Sequence, residues 1–230
     1  KHISDWDPCD CILSLKDVVV KSSNIGIAKI AKLIGKDSQK FFFKSLGFFD
    51  PIKINMDEAA LPLGNKHNWD VMETMTIGYG YGFAITPMHL AVAYQTILNE
   101  GKQINPKIVL KNDNSKFKQV ISKKTSNYIA NLLRAVIEET KYTGPRVKID
   151  GYDIGGKTGT AELTDEKGNY NKDLNRTIFV GAFPMSKPKY LILTFIDKPK
   201  RLKYYNYSIT SATVNAPLTK NIIKRIIEII

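Results

Sequence analysis

Two short clusters in this chain hold residue types able to do chemistry: Ser22-Ser23-Asn24, and Gly151-Tyr-Asp-Ile-Gly-Gly-Lys157-Thr158 with Gly159 and Thr160 after it. Residues 151–158 match the pattern G-x-x-x-x-G-K-[ST], in which a glycine-rich turn offers backbone N–H groups to phosphate oxygens and the lysine adds charge. Residues 191–197, an apolar run ending in Asp197, resemble the strand that supplies a magnesium-binding aspartate. A P-loop nucleotidase, however, needs a helix directly after the lysine. Here Lys157 leads into Thr-Gly-Thr-Ala and then a polar turn at 165–169, so that context is missing. The same residues also read as Lys157-Thr158-Gly159 on a strand. Each cluster alone has a plain explanation: a strand lysine for Lys157, a helix cap for Ser22 to Asn24.

Metal chemistry finds little support. Cys9 and Cys11 supply half of a tetrahedral site at most, and His2, His67 and His89 are scattered. No cofactor is expected.

Apolar spacing sets out the elements that must position the two clusters. Ile27, Ile30, Ala31 and Ile34 form one helical face after Asn24, closed by Gly35. Residues 36–70 read as irregular, punctuated by Gly47, Pro51, Pro62 and Gly64, and Gly78-Tyr79-Gly80-Tyr81-Gly82 as a loop. Thr86-Pro87 is a helix start, threonine as cap and proline at the first helical position, with Leu90, Ala93, Tyr94, Ile97 and Leu98 following. A further helix is predicted over 122–140, its inner face Ile129, Leu132, Leu133, Val136 and Ile137. Beyond Gly144-Pro145 the pattern turns strand-like at 147–149, 155–161, 177–183 and 190–197. The joining segments are too short for parallel crossovers, so the strands pair antiparallel. The last helix is predicted to start at Pro217, with Ile222, Ile223, Ile226, Ile227 and Ile230 on the side that covers the sheet. The layout is α+β, a mainly helical region over 1–145 and a sheet region over 146–230.

The 43% hydrophobic content suits a chain with a buried core. A net charge of +12 would suit nucleic acid, an anionic membrane surface or an acidic polymer. The lysines are scattered among many Ile and Asn residues, which a coding bias toward these three types also produces, and no nucleic-acid partner is expected. The longest apolar stretches, such as 191–196, fall far short of the roughly 20 residues that span a bilayer. The first residues have neither a signal peptide's apolar core nor a starting methionine, and the chain reads as a piece of a longer polypeptide.

Lys21-Ser-Ser-Asn-Ile-Gly-Ile-Ala-Lys29, Gly78-Tyr-Gly80, Thr86-Pro87-Met-His-Leu90 and Gly156-Lys-Thr-Gly-Thr-Ala161 occur in the order, and at about the intervals, of the monofunctional penicillin-binding proteins. Over essentially its whole length the chain resembles the C-terminal part of their transpeptidase domain, closest to the cell-division type. The resemblance implies the penicillin-binding/β-lactamase-like fold, incomplete here, and serine acyl transfer from D-alanyl-D-alanine stem peptides, with β-lactams as mimics. In that family Ser22 would join the proton relay to the leaving amine, and the Asn24 amide would bind the substrate backbone. Lys157 would supply positive potential, Thr158 and Thr160 would engage the substrate carboxylate, and the Thr160 N–H would be an oxyanion donor. Gly159 would let the substrate lie along the strand, and Gly78, Tyr79 and Gly80 would line the substrate site. The parent would be held at the bacterial cytoplasmic membrane with this domain outside, among cell-wall or division proteins.

The family's nucleophile belongs to an S-x-x-K motif upstream of Ser22, where the lysine lies one helical turn from the serine. Residues 1–21 contain none, so this polypeptide alone is expected not to form an acyl-enzyme. Ser115-Lys-Phe-Lys118 and Ser186-Lys-Pro-Lys189 match the letters in the wrong order along the chain, and Pro188 bars a helix in the second. Two rivals stand beside this reading. A β-lactamase would need a hydrolytic glutamate, for which Glu58 is the candidate, although Pro62 occupies the place of its usual asparagine. A non-catalytic basic binding module would explain the missing serine but not the Lys157–Thr160 strand.

Overall fold

The computed structural model describes residues 3–54, 61–62, 69–109, 116–167, 169–200 and 208–230. Glu58, His2, His67 and Ser115 lie outside the described residues. The chain forms two compact units, Lys1–Ile129 and Ala130–Ile230.

The first unit begins with helices α1 (Leu15–Val20), α2 (Asn24–Ile34) and α3 (Lys36–Ser45). They are followed by α4 (Val71–Gly78), α5 (Pro87–Leu98) and the short antiparallel pair β1 (Lys102–Gln103) and β2 (Lys118–Gln119). α1 is a six-residue helix with a capping box between Ser14 and Asp17. The segment 36–70, read above as irregular, contains α3. Its inward face carries Gln39 and Phe43 rather than an apolar repeat. Gln39 is buried because it accepts from Trp69 Nε1 at 2.8 Å and donates to the Thr74 carbonyl at 3.1 Å. Phe43 meets the rings of Phe48, Trp69 and Phe83 edge-on at 5.1–5.8 Å, which makes this aromatic cluster the centre of the unit's core. α5 starts at Pro87 with the Thr86 hydroxyl accepting from His89 N, as the Thr-Pro pair predicts. His89 is fully buried, its Nδ1 paired with Thr86 Oγ1 at 2.7 Å and its Nε2 with the Asp50 carbonyl at 2.9 Å. It is a structural histidine.

α6 (Lys123–Glu139) continues into the second unit, where Leu132, Leu133, Val136 and Ile137 are all buried, as their spacing predicts. The predicted strand at 147–149 does not form. Gly144–Val147 is a short helix, α7, and Ile149 makes only an isolated bridge to Tyr152. β3 (Gly155–Thr164), β4 (Tyr170–Phe183) and β5 (Tyr190–Asp197) form one antiparallel sheet in the order β3-β4-β5. Residues 184–189, including Ser186, connect β4 to β5, so that serine motif is on no helix.

α8 (Ser211–Ile227) packs on all three strands. Pro217 sits inside this helix instead of starting it, and Thr210 is the N-cap. The first two turns turn a polar stripe inward, so the apolar pattern cannot show them. Asn215 Nδ2 donates to the Thr194 carbonyl at 3.0 Å, Thr219 pairs with Thr194 at 3.0 Å, and the Ser211 hydroxyl donates to the Ile178 carbonyl at 2.5 Å.

Gly156 decides how closely β3 and β4 can pack. A Cβ there would stand 2.6 Å from the Val180 carbonyl oxygen and 2.7 Å from Phe179 Cζ, and Phe179 is fully buried. Gly156→Ala is therefore expected to cost about 2 to 3 kcal/mol of stability. A urea unfolding midpoint within error of the unmodified chain's would show that this contact relaxes freely.

Candidate active site

The loop from α1 to α2 places Ser22, Ser23 and Asn24 in three different environments. Ser22 is exposed and has φ +57°, the left-handed region that residues with a side chain rarely adopt. The turn is held from α1, with Ser22 N donating to the Val19 carbonyl at 3.2 Å and Ser23 N to the Val18 carbonyl at 3.0 Å. The cap of α2 is Ser23: its buried hydroxyl accepts from Gly26 N at 2.9 Å and donates to Asp5 Oδ2 at 2.7 Å. Capping therefore does not explain the serine at position 22. Asn24, the first residue of α2, donates from Nδ2 to the Ser4 carbonyl at 3.0 Å.

Small residues fix where this helix start lies. A Cβ on Gly26 would meet Val18 Cγ2 at 2.6 Å, so α1 and α2 touch there. A Cβ on Gly78 would meet Ala31 Cβ at 2.8 Å, so the end of α4 lies against the middle of α2. Gly78 is thus the last residue of a helix and a packing residue, and the loop begins at Tyr79. Gly80 adopts φ +101°, and the Tyr79 and Tyr81 rings lie 5.7 Å apart.

In the second unit Lys157, Thr158, Gly159 and Thr160 are consecutive on β3, opposite Val180, Phe179, Ile178 and Thr177 of β4. A lysine inside a strand, with no helix after it, does not make a P-loop. Among the described residues β3 pairs on one side only, so the strand bearing the motif is an edge. Lys157 keeps some solvent exposure along its length. Its ammonium lies deep enough among protein atoms that desolvation lowers its pKa to about 8. Its Nζ donates to the Thr158 carbonyl at 3.2 Å. Thr160 Oγ1 accepts from Ser211 N, the first residue of α8, at 2.9 Å, which leaves its own proton as what it can offer an incoming acceptor. A Cβ on Gly159 would stand 2.8 Å from Ile178 Cγ2, so this glycine answers to internal packing as well as to the open strand edge.

Two features of these surroundings escape the sequence, Asp5 and Ser211 as the donor to Thr160, and the cap read at Ser22 to Asn24 is assigned to Ser23 only by the backbone. Cys9 and Cys11 form a disulfide with each other.

Residues 1–224 match the family model of the penicillin binding protein transpeptidase domain. The chain is 33% identical over 236 residues to the peptidoglycan D,D-transpeptidase FtsI of Buchnera aphidicola, covering 100% of this chain and 40% of that protein. It is 31% identical over 236 residues to the probable peptidoglycan D,D-transpeptidase FtsI of Caulobacter vibrioides, covering 98% of this chain and 40% of that one. It therefore spans well under half the length of these relatives. The transpeptidase domain of Burkholderia pseudomallei penicillin-binding protein 3 has the same fold, with a TM-score of 0.82 at 26% identity, over 96% of this chain and 67% of that one. The chain belongs to the penicillin-binding protein transpeptidase domain family.

Proposed function

We propose that this chain carries the serine-asparagine and lysine-threonine-glycine motifs of a peptidoglycan D,D-transpeptidase that cross-links D-alanyl-D-alanine stem peptides and is acylated by β-lactams. The observation that carries the reading is the desolvated Lys157 on the β3 edge, in one run with Thr158, Gly159 and Thr160. An extended peptide ending in a carboxylate can add to such an edge through backbone hydrogen bonds. Lys157 supplies positive potential to that carboxylate, and the Thr158 and Thr160 hydroxyls donate to it. The Thr160 N–H serves as one oxyanion donor as the scissile carbonyl becomes tetrahedral. Asn24 binds the substrate backbone, Gly78, Tyr79 and Gly80 line the substrate site, and Ser22 passes a proton to the departing D-alanine amine.

The nucleophile, a serine activated by a lysine one turn away, has no counterpart in residues 1–21. On this reading the 230 residues alone do not form an acyl-enzyme, and a serine motif added upstream restores the reaction. In this reading the parent protein acts on the outer side of the cytoplasmic membrane with cell-wall or division proteins. Among the described residues no helix is long and apolar enough to cross a membrane.

Intact mass after incubation with excess benzylpenicillin tests this reading. No adduct is expected on the 230-residue chain, and one adduct on a version extended upstream by an S-x-x-K helix. An adduct on the chain as given would put the nucleophile at Ser22, Ser115 or Ser186. No adduct on either would favour the non-catalytic binding module.

A further inference from the structure

We infer that Asp5 is a positioning residue for the serine-asparagine motif, an inference that rests on the proposed function. The segment Ser4-Asp5 holds three consecutive residues at the start of α2. Asp5 Oδ2 accepts from the Ser23 hydroxyl at 2.7 Å, Asp5 Oδ1 accepts from Ile25 N at 3.0 Å, and the Ser4 carbonyl accepts from Asn24 Nδ2 at 3.0 Å. Ser23, fixed in this way, accepts from Gly26 N at 2.9 Å. The Ile25 and Gly26 N–H groups, which helical geometry leaves without intrahelical partners, are thus filled by one carboxylate and by the serine that this carboxylate orients. A carboxylate there also sits at the positive end of the helix dipole and makes charge-assisted hydrogen bonds.

The clamp adds a second hold to the one that α1 provides. Val18 and Val19 carbonyls hold the amides of Ser23 and Ser22, while Asp5 holds the Ser23 side chain and the next turn. Ser22, at φ +57°, lies between the two holds. A left-handed serine persists only where its surroundings fix it, and Asp5 supplies one of those fixings. Asn24 depends on the same segment, because its amide is oriented by the carbonyl next to Asp5. Asp5 touches neither substrate nor reacting atoms in this role. It acts through Ser23 and the backbone on the two side chains that do.

The experiment measures the second-order rate of acylation by a fluorescent penicillin in the version of the chain that carries the upstream serine motif. Asp5→Ala is expected to lower the rate about 10-fold or more. Asp5→Asn, which keeps an acceptor for Ile25 N, is expected to fall between, and Asp7→Asn, two residues on, to leave the rate unchanged. The decisive reading is a double-mutant cycle with Asn24→Ala. If Asp5 works through the motif, Asp5→Ala reduces the rate of the Asn24→Ala variant much less than it reduces the unmutated rate. Full multiplication of the two effects would overturn the inference. So would a rate within about twofold of the unmutated one in Asp5→Ala, with thermal unfolding the only property changed. If Asn24→Ala itself left acylation intact, the proposed role of the motif would have failed; if Asn24→Ala impaired it and Asp5→Ala did not, the clamp alone would have failed. Should Asp5→Ala not fold, the same cycle with Asp5→Asn decides.

Discussion

Replacing Lys157 by methionine is expected to slow acylation of the version bearing the serine motif by about 100-fold or more, and to make the folded state more stable at pH 7. The first effect follows from removing the charge that meets the substrate carboxylate in a desolvated place, where a charge-assisted contact contributes about 2 to 4 kcal/mol. The second follows from the same desolvation. Burial lowers the Lys157 pKa from 10.5 to about 8. At pH 7 the lysine is protonated both folded and unfolded, and the folded chain bears the whole cost of burying the charge, at most about 3 kcal/mol. Between pH 8 and 10.5 the unfolded chain still holds the proton that the folded chain has released, so the unmodified protein gains stability as the pH rises. The advantage of Lys157→Met should therefore be greatest below pH 8 and close as the pH approaches 10.5. The ratio of unmodified to Lys157→Met acylation rates should shrink above pH 8, as the ammonium is lost. Urea midpoints of both proteins across this range, beside acylation rates, decide the matter. A methionine variant less stable at pH 7, or a stability gap that ignores pH, would mean that Lys157 is held as an ordinary structural cation.

That lysine was legible in the sequence because its motif lies on a strand whose pattern is plain. β5 falls on the predicted residues 190–197, and Thr86-Pro87 marks the start of α5 by cap chemistry alone. Legibility ends where burial is polar. Gln39 hides α3, because a residue buried through bonds to Trp69 and Thr74 breaks the apolar repeat. Ser211, Asn215 and Thr219 hide the first turns of α8 for the same reason, and Pro217 then reads as a start where it is an interior residue. α1 is too short to show a period, and Gly144–Val147 folds as one helical turn where Val147 reads as strand.

The site divides in the same way. Lys157 to Thr160 could be placed together from sequence because they are neighbours in the chain. Asp5 could not: its partners Ser23 and Ile25 stand 18 and 20 residues away, and nothing in the letters sets Asp5 apart from Asp7 and Asp10 beside it as the one that holds a distant helix. Ser22 and Ser23 are likewise indistinguishable as letters. Only the backbone shows that one caps the helix and the other occupies a left-handed turn.

This difference between adjacent serines yields an expected division of effects. Ser22→Ala is expected to lower acylation about 100-fold or more, the usual weight of a positioned proton-transfer group, and to change stability less than Ser23→Ala does, since Ser22 is exposed and the cap of α2 is Ser23. Ser22→Gly should lose as much activity yet be at least as stable as Ser22→Ala, because φ +57° costs alanine about 1 kcal/mol that glycine does not bear. Ser23→Ala should do the reverse, costing about 1 to 2 kcal/mol through the lost cap and slowing acylation no more than Asp5→Ala does. The four rates and four unfolding midpoints, unmodified chain included, separate a serine that transfers a proton from one that holds a helix. Equal losses of rate in Ser22→Ala and Ser23→Ala would place the effect in the turn as a whole and remove Ser22 from the proton path. A large loss of stability in Ser22→Ala would show that its left-handed backbone depends on the hydroxyl, which would make that strained geometry a product of the serine and not a fixture that awaits it.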